Sequence, residues 1–509
     1  MKPALLSASL LVALLLTSAC SRADPAEQFA AARKAFAAED FAAARTSVLA
    51  ALEAENANRE MLLLLARAQL KLADGDGAQA TLVRLEEAGA HSAEIVRMKA
   101  EAAILRGQPE AALTVLGQDN DPEAWRLRAA AHTALDDSPA ALAALRRGLA
   151  VGGQNFALIH DYAAFLLSAE DFKGAAAAID TLRRLGPKQL DTLMLSGELA
   201  TRLGRLDEAK RDYSAAANAF PARVEPLTAL ATLADMQGQV DAAIALVERA
   251  AKLVPGNPEV IDLRVQLASE KGDWETVRKT LAHDEATLDP RSPNGMSYAE
   301  ALLRLGHPEQ ARAIFAKALL LSPQNPYARM MLAEAQLATG DAVAALRTVA
   351  PLSDGVLAGP RELDLASRAA QAAGDPAAVP IAARLKGPQL KQNQQLAAAG
   401  QAALTRQDWS GALAAYRQIP GYEGDAEVLR RLASAAVRAG QADAALGYAD
   451  RALELAPRNA DMLHTAALVR LETGRDRDQM LRLMKQASQL DPANHLFRAD
   501  LARASAAGG

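Results

Sequence analysis

Cysteine is all but missing: Cys20 alone stands in 509 residues, so no Cys–His pair exists for nucleophilic or metal chemistry beyond that position. Aromatic residues make up only 4% of a chain that is 50% hydrophobic, so small aliphatic side chains, alanine above all, must mediate its packing. A surplus of positive charge is missing too. With 56 Lys and Arg against 61 Asp and Glu the net charge is −5, which argues against nucleic acid as a partner, because sequence-independent binding depends on cations that neutralise phosphates. There is no Gly-x-Ser-x-Gly, no Gly-x4-Gly-Lys-Ser/Thr and no His-Glu-x-x-His, and the seven histidines are scattered with no pair at ligand spacing. The run Ala73 to Gly77, Ala-Asp-Gly-Asp-Gly, is partly similar to a calcium loop, but Leu85 stands where the twelfth-position Glu would be. Trp125, Trp274 and Trp409 are read as core residues. No catalytic residue, cofactor or metal is expected, and the chain is read as not an enzyme.

What is present is a period. Gly204, Ala209, Tyr213, Ala216 and Pro221 recur 34 residues later as Gly238, Ala243, Val247, Ala250 and Pro255. A fixed period of this length marks a stacked-repeat architecture. Carried outward, the position five after the turn reads Ala44, Ala78, Ala112, Ala141, Ala175, Ala209, Ala243, Val277, Ala311, Ala345, Val379, Ala412 and Ala445, all small. Twelve residues earlier the frame gives Ala32, Ala66, Ala100, Ala129, Ala163, Gly197, Ala231, Val265, Ala299, Ala333, Ser367, Gly400 and Ala433. Within one unit, Leu227, Leu230, Ala231 and Ala234 follow helical spacing, Gly238 breaks the helix, and Ala243, Val247 and Ala250 resume it. Each unit is thus two antiparallel helices, close enough at the crossing to demand small side chains and stable only when stacked. The spacing shortens to 29 between Ala112 and Ala141 and to 33 on either side of Ala412, and one residue is inserted after Gly474.

The pattern resembles the tetratricopeptide repeat (TPR) family over roughly residues 25–492, with its best matches at Gly204/Ala209/Tyr213/Ala216/Pro221, Gly306/Ala311/Phe315/Ala318/Pro323 and Gly440/Ala445/Ala452/Pro457. The resemblance implies an all-α fold, a TPR-type α-solenoid wound as a right-handed superhelix of about fourteen helix-turn-helix repeats. It divides the chain into a solenoid of N-terminal and central repeats at 27–350, a degenerate repeat and possible hinge at 351–394, C-terminal repeats at 395–492, and a capping helix with tail at 493–509.

Residues 1–20 hold one cation, Lys2, an apolar run from Ala4 to Leu16, and then small residues up to Cys20. The run is shorter than the ~20 apolar residues a spanning helix needs and reads as a secretory signal peptide. Leu16-Thr17-Ser18-Ala19-Cys20 resembles a bacterial lipobox, although Thr17 departs from its usual Leu. The resemblance implies lipid attachment at Cys20, with 21–26 as a tether. Ser21, in place of a retention-signalling Asp, favours the outer membrane, facing the periplasm. Met61 to Ala68 with the following Gly75-Asp76-Gly77 resembles the TPR lipoproteins of exopolysaccharide and exosortase (PEP-CTERM) systems.

In TPR solenoids the first helix of each pair lines the concave surface. By that resemblance the candidate binding residues are Arg97, Glu101, Arg126, His160, Glu198, Arg202 and Asp235, with Glu123, Asp191 and Glu225 beside them. The carboxylate clamp of some TPR domains needs Lys and Asn at two places of one unit. Pairs such as Arg126/Ala130 and His160/Ala164 do not supply it. The expected function is a non-enzymatic, lipid-anchored periplasmic scaffold that binds other envelope proteins in an assembly, secretion or exopolysaccharide-export machine. The alternative is a glycan- or peptide-binding accessory subunit of an envelope enzyme or transporter.

Overall fold

The computed structural model describes residues 24–152, 154–492 and 494–506, and among them it contains 29 α-helices and no strand. The 1–20 segment with Cys20, and residues 21–23 of the tether, lie outside the described residues, as do 153, 493 and 507–509. The chain divides into two compact units, Met1–Leu233 and Ala234–Gly509.

The first unit runs α1 (Pro25–Ala37), α2 (Phe41–Leu52), α3 (Arg59–Lys71), α4 (Gly75–Glu87), α5 (Ala93–Leu105), α6 (Pro109–Leu116), α7 (Pro122–Ala134), α8 (Ser138–Val151), α9 (Phe156–Ser168), α10 (Phe172–Leu185), α11 (Leu190–Arg202) and α12 (Leu206–Ala219). Helix α13 (Glu225–Met236) carries the boundary. The second unit continues with α14 (Val240–Leu253), α15 (Pro258–Lys271), α16 (Trp274–Leu281), α17 (Pro293–Arg304), α18 (Pro308–Leu321), α19 (Pro326–Ala338), α20 (Ala342–Ser353), α21 (Pro360–Ala373) and α22 (Ala378–Lys386). It ends with α23 (Pro388–Thr405), α24 (Trp409–Arg417), α25 (Ala426–Arg438), α26 (Ala442–Leu455), α27 (Ala460–Thr473), α28 (Arg477–Leu490) and α29 (His495–Ala506).

The turn inside each pair is built the same way. One residue with positive φ reverses the chain, at Glu39, Ala73, Gly107, Asp136, Glu170, Gly204, Gly238, Gly272, Gly306, Gly340, Gly374, Gln407, Gly440 and Gly474 in succession. Nine of these fourteen are glycine, which adopts that conformation without steric cost. In seven pairs an Asp follows at once, and its carboxylate caps the second helix, as Asp40 does toward Ala43 N and Asp171 toward Gly174 N. The Asp-Gly-Asp-Gly run at 74–77 is such a turn: Ala73 reverses the chain, Asp74 caps Gly77 N at 2.9 Å, and Gly75 already begins α4.

The small positions are the crossings. Ala44, Ala78, Ala112, Ala141, Ala175, Ala209, Ala243, Val277, Ala311, Ala345, Ala412 and Ala445 are all fully buried. Val379 is the departure, 76% exposed. No residue of its helix α22 is buried. The shortened spacing after Ala112 comes from α6, which has 8 residues where α8 has 14. The insertion after Gly474 is Asp476, a second left-handed residue that delays the start of α28.

Around α22 polar bonds take over from methyl packing. The first part of the 351–394 segment, from Pro351 to Pro360, is helical at both ends, since α20 continues through Pro351 to Ser353 and α21 begins at Pro360. The loop between them is tied down by three side chains. Asp425, buried at the start of α25, accepts from Val356 N at 2.7 Å as well as from Glu427 N and Val428 N. Arg384 donates to the carbonyls of Ser353 and Gly355, and Asn393 to that of Val356. At the C-terminal end α29 packs Phe497 and Ala504 into the core, while Asp500 meets His464 Nε2 at 2.8 Å.

Candidate functional site

The first helices of successive pairs touch one another, α3 with α5, α5 with α7, α7 with α9 and α9 with α11. Their solvent side in the first unit therefore forms one continuous surface, and the charged residues singled out by the repeat frame lie on these helices, Asp235 of α13 apart. At its centre is Arg126 on α7. Its guanidinium donates Nη1 to Asp161 Oδ2 at 3.0 Å and Nε and Nη2 to Glu123 at 2.7–3.0 Å, so a rigid fork is clamped between carboxylates of two different pairs. His160 Nδ1 lies 2.9 Å from Asp161 Oδ1.

The electrostatics follow from that geometry. Burial disfavours the charged guanidinium of Arg126, but the bonds and charges of Glu123 and Asp161 outweigh it and hold the group above its ordinary pKa. The hydrogen bond to Asp161 raises the His160 ring against the opposing effect of burial. Burial would raise Asp161, yet the bonds from His160 and Arg126 and their charges carry it below the usual carboxylate range. Glu101 on α5 has no such partner. Burial pushes its carboxyl up, and the charge of Arg126 offsets this only in part.

Beside Arg126 and Asp161 a cavity of about 390 Å³ opens between α7 and α9. Ala129, Ala130 and Ala164 line it together with Leu145 and Phe165. The alanines leave the room that a larger residue would fill. The site thus offers an apolar recess with a clamped ion-pair network at its edge, in which carboxylates outnumber cations.

The other candidates are arranged separately. Arg97 pairs with Asp119 at 3.0 Å and Asp121 at 3.6 Å across the short α6 connection. Glu198 and Arg202 form an open pair along α11 at 3.8 Å, about half exposed, of the kind worth under ~1 kcal/mol. Asp235 belongs to the second unit, where it accepts from Gln266 Nε2 at 3.2 Å. Asp161 is the functional residue the frame missed. It stands one place past the repeat equivalent of Arg126, and its opposite sign at that offset was the available signal. Of the tryptophans, none is fully buried; Trp125 donates to Asn120 Oδ1 and carries Arg128 4.3 Å above its ring.

Among the described residues no group of three or more His, Cys, Asp or Glu side chains is placed to hold a metal ion, and no helix is long and apolar enough to cross a membrane.

One model of the tetratricopeptide repeat matches residues 200–267 and 289–355, and a second matches 166–223, so the chain contains tetratricopeptide repeats. Solved structures similar to it include the APC/C hetero-tetramer Cut9–Hcn1, at 15% identity over 95% of this chain and 96% of that one, with a TM-score of 0.39. PilF of Pseudomonas aeruginosa is 17% identical over 41% of this chain and 95% of its own, with a TM-score of 0.34. A tetratricopeptide repeat protein from Parabacteroides merdae ATCC 43184 is 15% identical over 61% of this chain and 98% of its own, with a TM-score of 0.31. No curated protein matches the sequence.

Proposed function

We propose that the protein is a non-enzymatic scaffold, anchored by lipid at Cys20 to the periplasmic side of the outer membrane, whose first-helix surface holds a segment of a protein partner. Tetratricopeptide repeats are protein-interaction folds, which supports the scaffold role. The observation that carries the choice of surface is the recess between α7 and α9, with Arg126 locked to Glu123 and Asp161 at its rim. A preorganised, partly buried charge network beside an apolar recess offers a partner side chain both a pocket and fixed polar contacts. The signal-like apolar run and the lone cysteine support the membrane anchor. An envelope assembly, secretion or exopolysaccharide-export machine is the setting this anchor fits.

The test uses a photo-crosslinking amino acid at Ser168, on the recess, and at Thr46, away from it, in cells making the full chain. Capture of a defined protein at 168 and not at 46, lost on Arg126→Glu, supports the reading. Equal capture at both positions, or capture at 168 unchanged by the reversal, refutes it. For the anchor, radiolabelled palmitate should enter the wild-type chain and not Cys20→Ala, and only the variant should leave the membrane fraction.

A further inference from the structure

A second groove lies in the second unit. It has a volume of about 550 Å³ and is lined by Tyr422 and Glu423 before α25, and by Gly447, Tyr448 and Arg451 on α26. That size falls in the range of ligand sites, ~300–1,000 Å³. Two features set it apart from the rest of the repeat lattice.

The first is Gly447. It sits in the middle of α26, where glycine weakens a helix, yet a Cβ built there meets nothing within 4 Å. No neighbouring element of the protein needs the space. Among the repeats this position is otherwise Thr46, Ala80, Thr114, Ala143, Ala177, Arg211, Ala245, Lys279, Ala313, Arg347, Ile381, Ala414 and Arg482, so glycine is peculiar to this groove. A bare stretch of helix surface lets a flat ligand approach the backbone. The second is the aromatic pair. The sequence has seven tyrosines, and two of them, Tyr422 and Tyr448, border the same bare patch. Tyr422 reaches it because α24 stops after 9 residues and the chain makes a 3₁₀ turn at Tyr422–Gly424. Tyr448 is held by Arg417, whose Nε donates to its hydroxyl at 2.8 Å and whose guanidinium lies 5.6 Å from the ring centroid.

We propose that this groove is a saccharide subsite. A pyranose ring presents a C–H face that packs on tyrosine rings and a rim of hydroxyls that both donate and accept. Glu423 supplies an acceptor and Arg451 donors at the rim, and Gly447 a floor without a side chain. The local charges favour a neutral sugar over a uronic acid. Arg451 is already paired with Glu454 at 2.9 Å and Arg417 with the Tyr448 hydroxyl, while the Glu423 carboxylate repels an anion. A proline-rich peptide is the competing occupant for an aromatic groove, but it offers few donors for Glu423. This site does not rest on the protein-binding surface of the first unit.

The full-length protein in detergent is titrated by calorimetry with cellohexaose, chitohexaose, hexameric alginate and a decaproline peptide. Binding of a neutral hexasaccharide, weakened at least tenfold by both Gly447→Leu and Tyr422→Ala with the helix content unchanged, supports the proposal. Gly447→Leu is the decisive variant, because leucine favours the helix and its Cβ has open space, so loss of binding reports the filled floor and not misfolding. Binding of neither hexasaccharide, binding indifferent to Gly447→Leu, or a Gly447-dependent preference for alginate or decaproline overturns it.

Discussion

In two units the helix crossing is closed by glycine, and in those same two units the opposing residue is tyrosine. A methyl at Gly197 would lie 2.4 Å from Cε1 and 2.6 Å from Cδ1 of Tyr213, and one at Gly400 would lie 2.7 Å from Cζ of Tyr416. Both rings are buried, so neither can swing away without leaving the core. Elsewhere alanine at the crossing mostly meets an aliphatic partner at the same offset, as Ala66 meets Leu82 and Ala163 meets Ile179 in the repeat frame; the other ring at this offset, Phe315 opposite Ala299, lacks the hydroxyl. Gly197→Ala therefore sets two effects against each other. Better helix propensity contributes about 1 kcal/mol, while overpacking the ring costs about 1–3 kcal/mol, for a net loss of ~0–2 kcal/mol. Tyr213→Leu alone leaves a void beside Gly197 and costs about 1–3 kcal/mol. Together they recreate the Ala–Leu crossing of other units, so the double variant should be more stable than the sum of the singles by about 0.5–3 kcal/mol. Hydrogen exchange of the α11 and α12 amides, read across the four-protein cycle, measures this locally, which suits a repeat array that need not unfold in one step. Additivity within ~0.5 kcal/mol would refute the steric account of the glycine–tyrosine pairing.

Three further outcomes are expected. Asp425→Asn keeps the cap of α25 but faces Val356 N with a donor or a lost acceptor, so exchange at Val356 should rise by about 1–3 kcal/mol while α25 stays protected; Asp425→Ala should expose both, adding about 1 kcal/mol at α25, and equal behaviour of the two variants would count against the pin. The His160 ring should titrate above 6.5 by NMR and return toward it in Asp161→Asn; because its folded pKa is raised, its contribution to stability is complete below about pH 6.5 and is lost as pH climbs through the folded value. Ala243→Leu, at a fully buried crossing, should cost about 1–3 kcal/mol, whereas Leu320→Ala, 79% exposed, should cost under ~0.5 kcal/mol by thermal unfolding, and equal midpoints for Ala243→Leu and the wild type would contradict the repeat frame.

The repeat was legible because its signal is local and recurs. Small residues at 44, 78 or 243 report a crossing that each unit makes with itself, and the frame located the reversal even at Asp136 and Glu170, where glycine is absent. Even the glycine–tyrosine complementarity stands in the sequence, at a fixed offset of 16 between Gly197 and Tyr213 and between Gly400 and Tyr416. Contacts between units at irregular offsets were not legible. Asp161 reaches Arg126 from the next pair, and Asp425 caps its own helix as any Asp would, with nothing in its surroundings to announce the amide of Val356. Val379 sits in frame and carries a residue that suits a crossing, yet it faces solvent, because α22 begins at Ala378, four residues after the reversal at Gly374 where α20 begins two after Gly340, so Val379 falls in the first turn of its helix.

The pin at Val356 also has a direction in time. A ribosome makes this chain from its N-terminus, and stacked pairs can fold as they emerge, each resting on the one before. Elsewhere in the second unit a pair finds its methyl contacts in the next few dozen residues. The amide of Val356 waits for a carboxylate 69 residues further on. Arg384 and Asn393 arrive sooner and can hold the carbonyls of the loop, but its N–H stays open to water until α25 is made. Translation speed between residues 356 and 425 thus sets how long this one joint stays unlocked during synthesis.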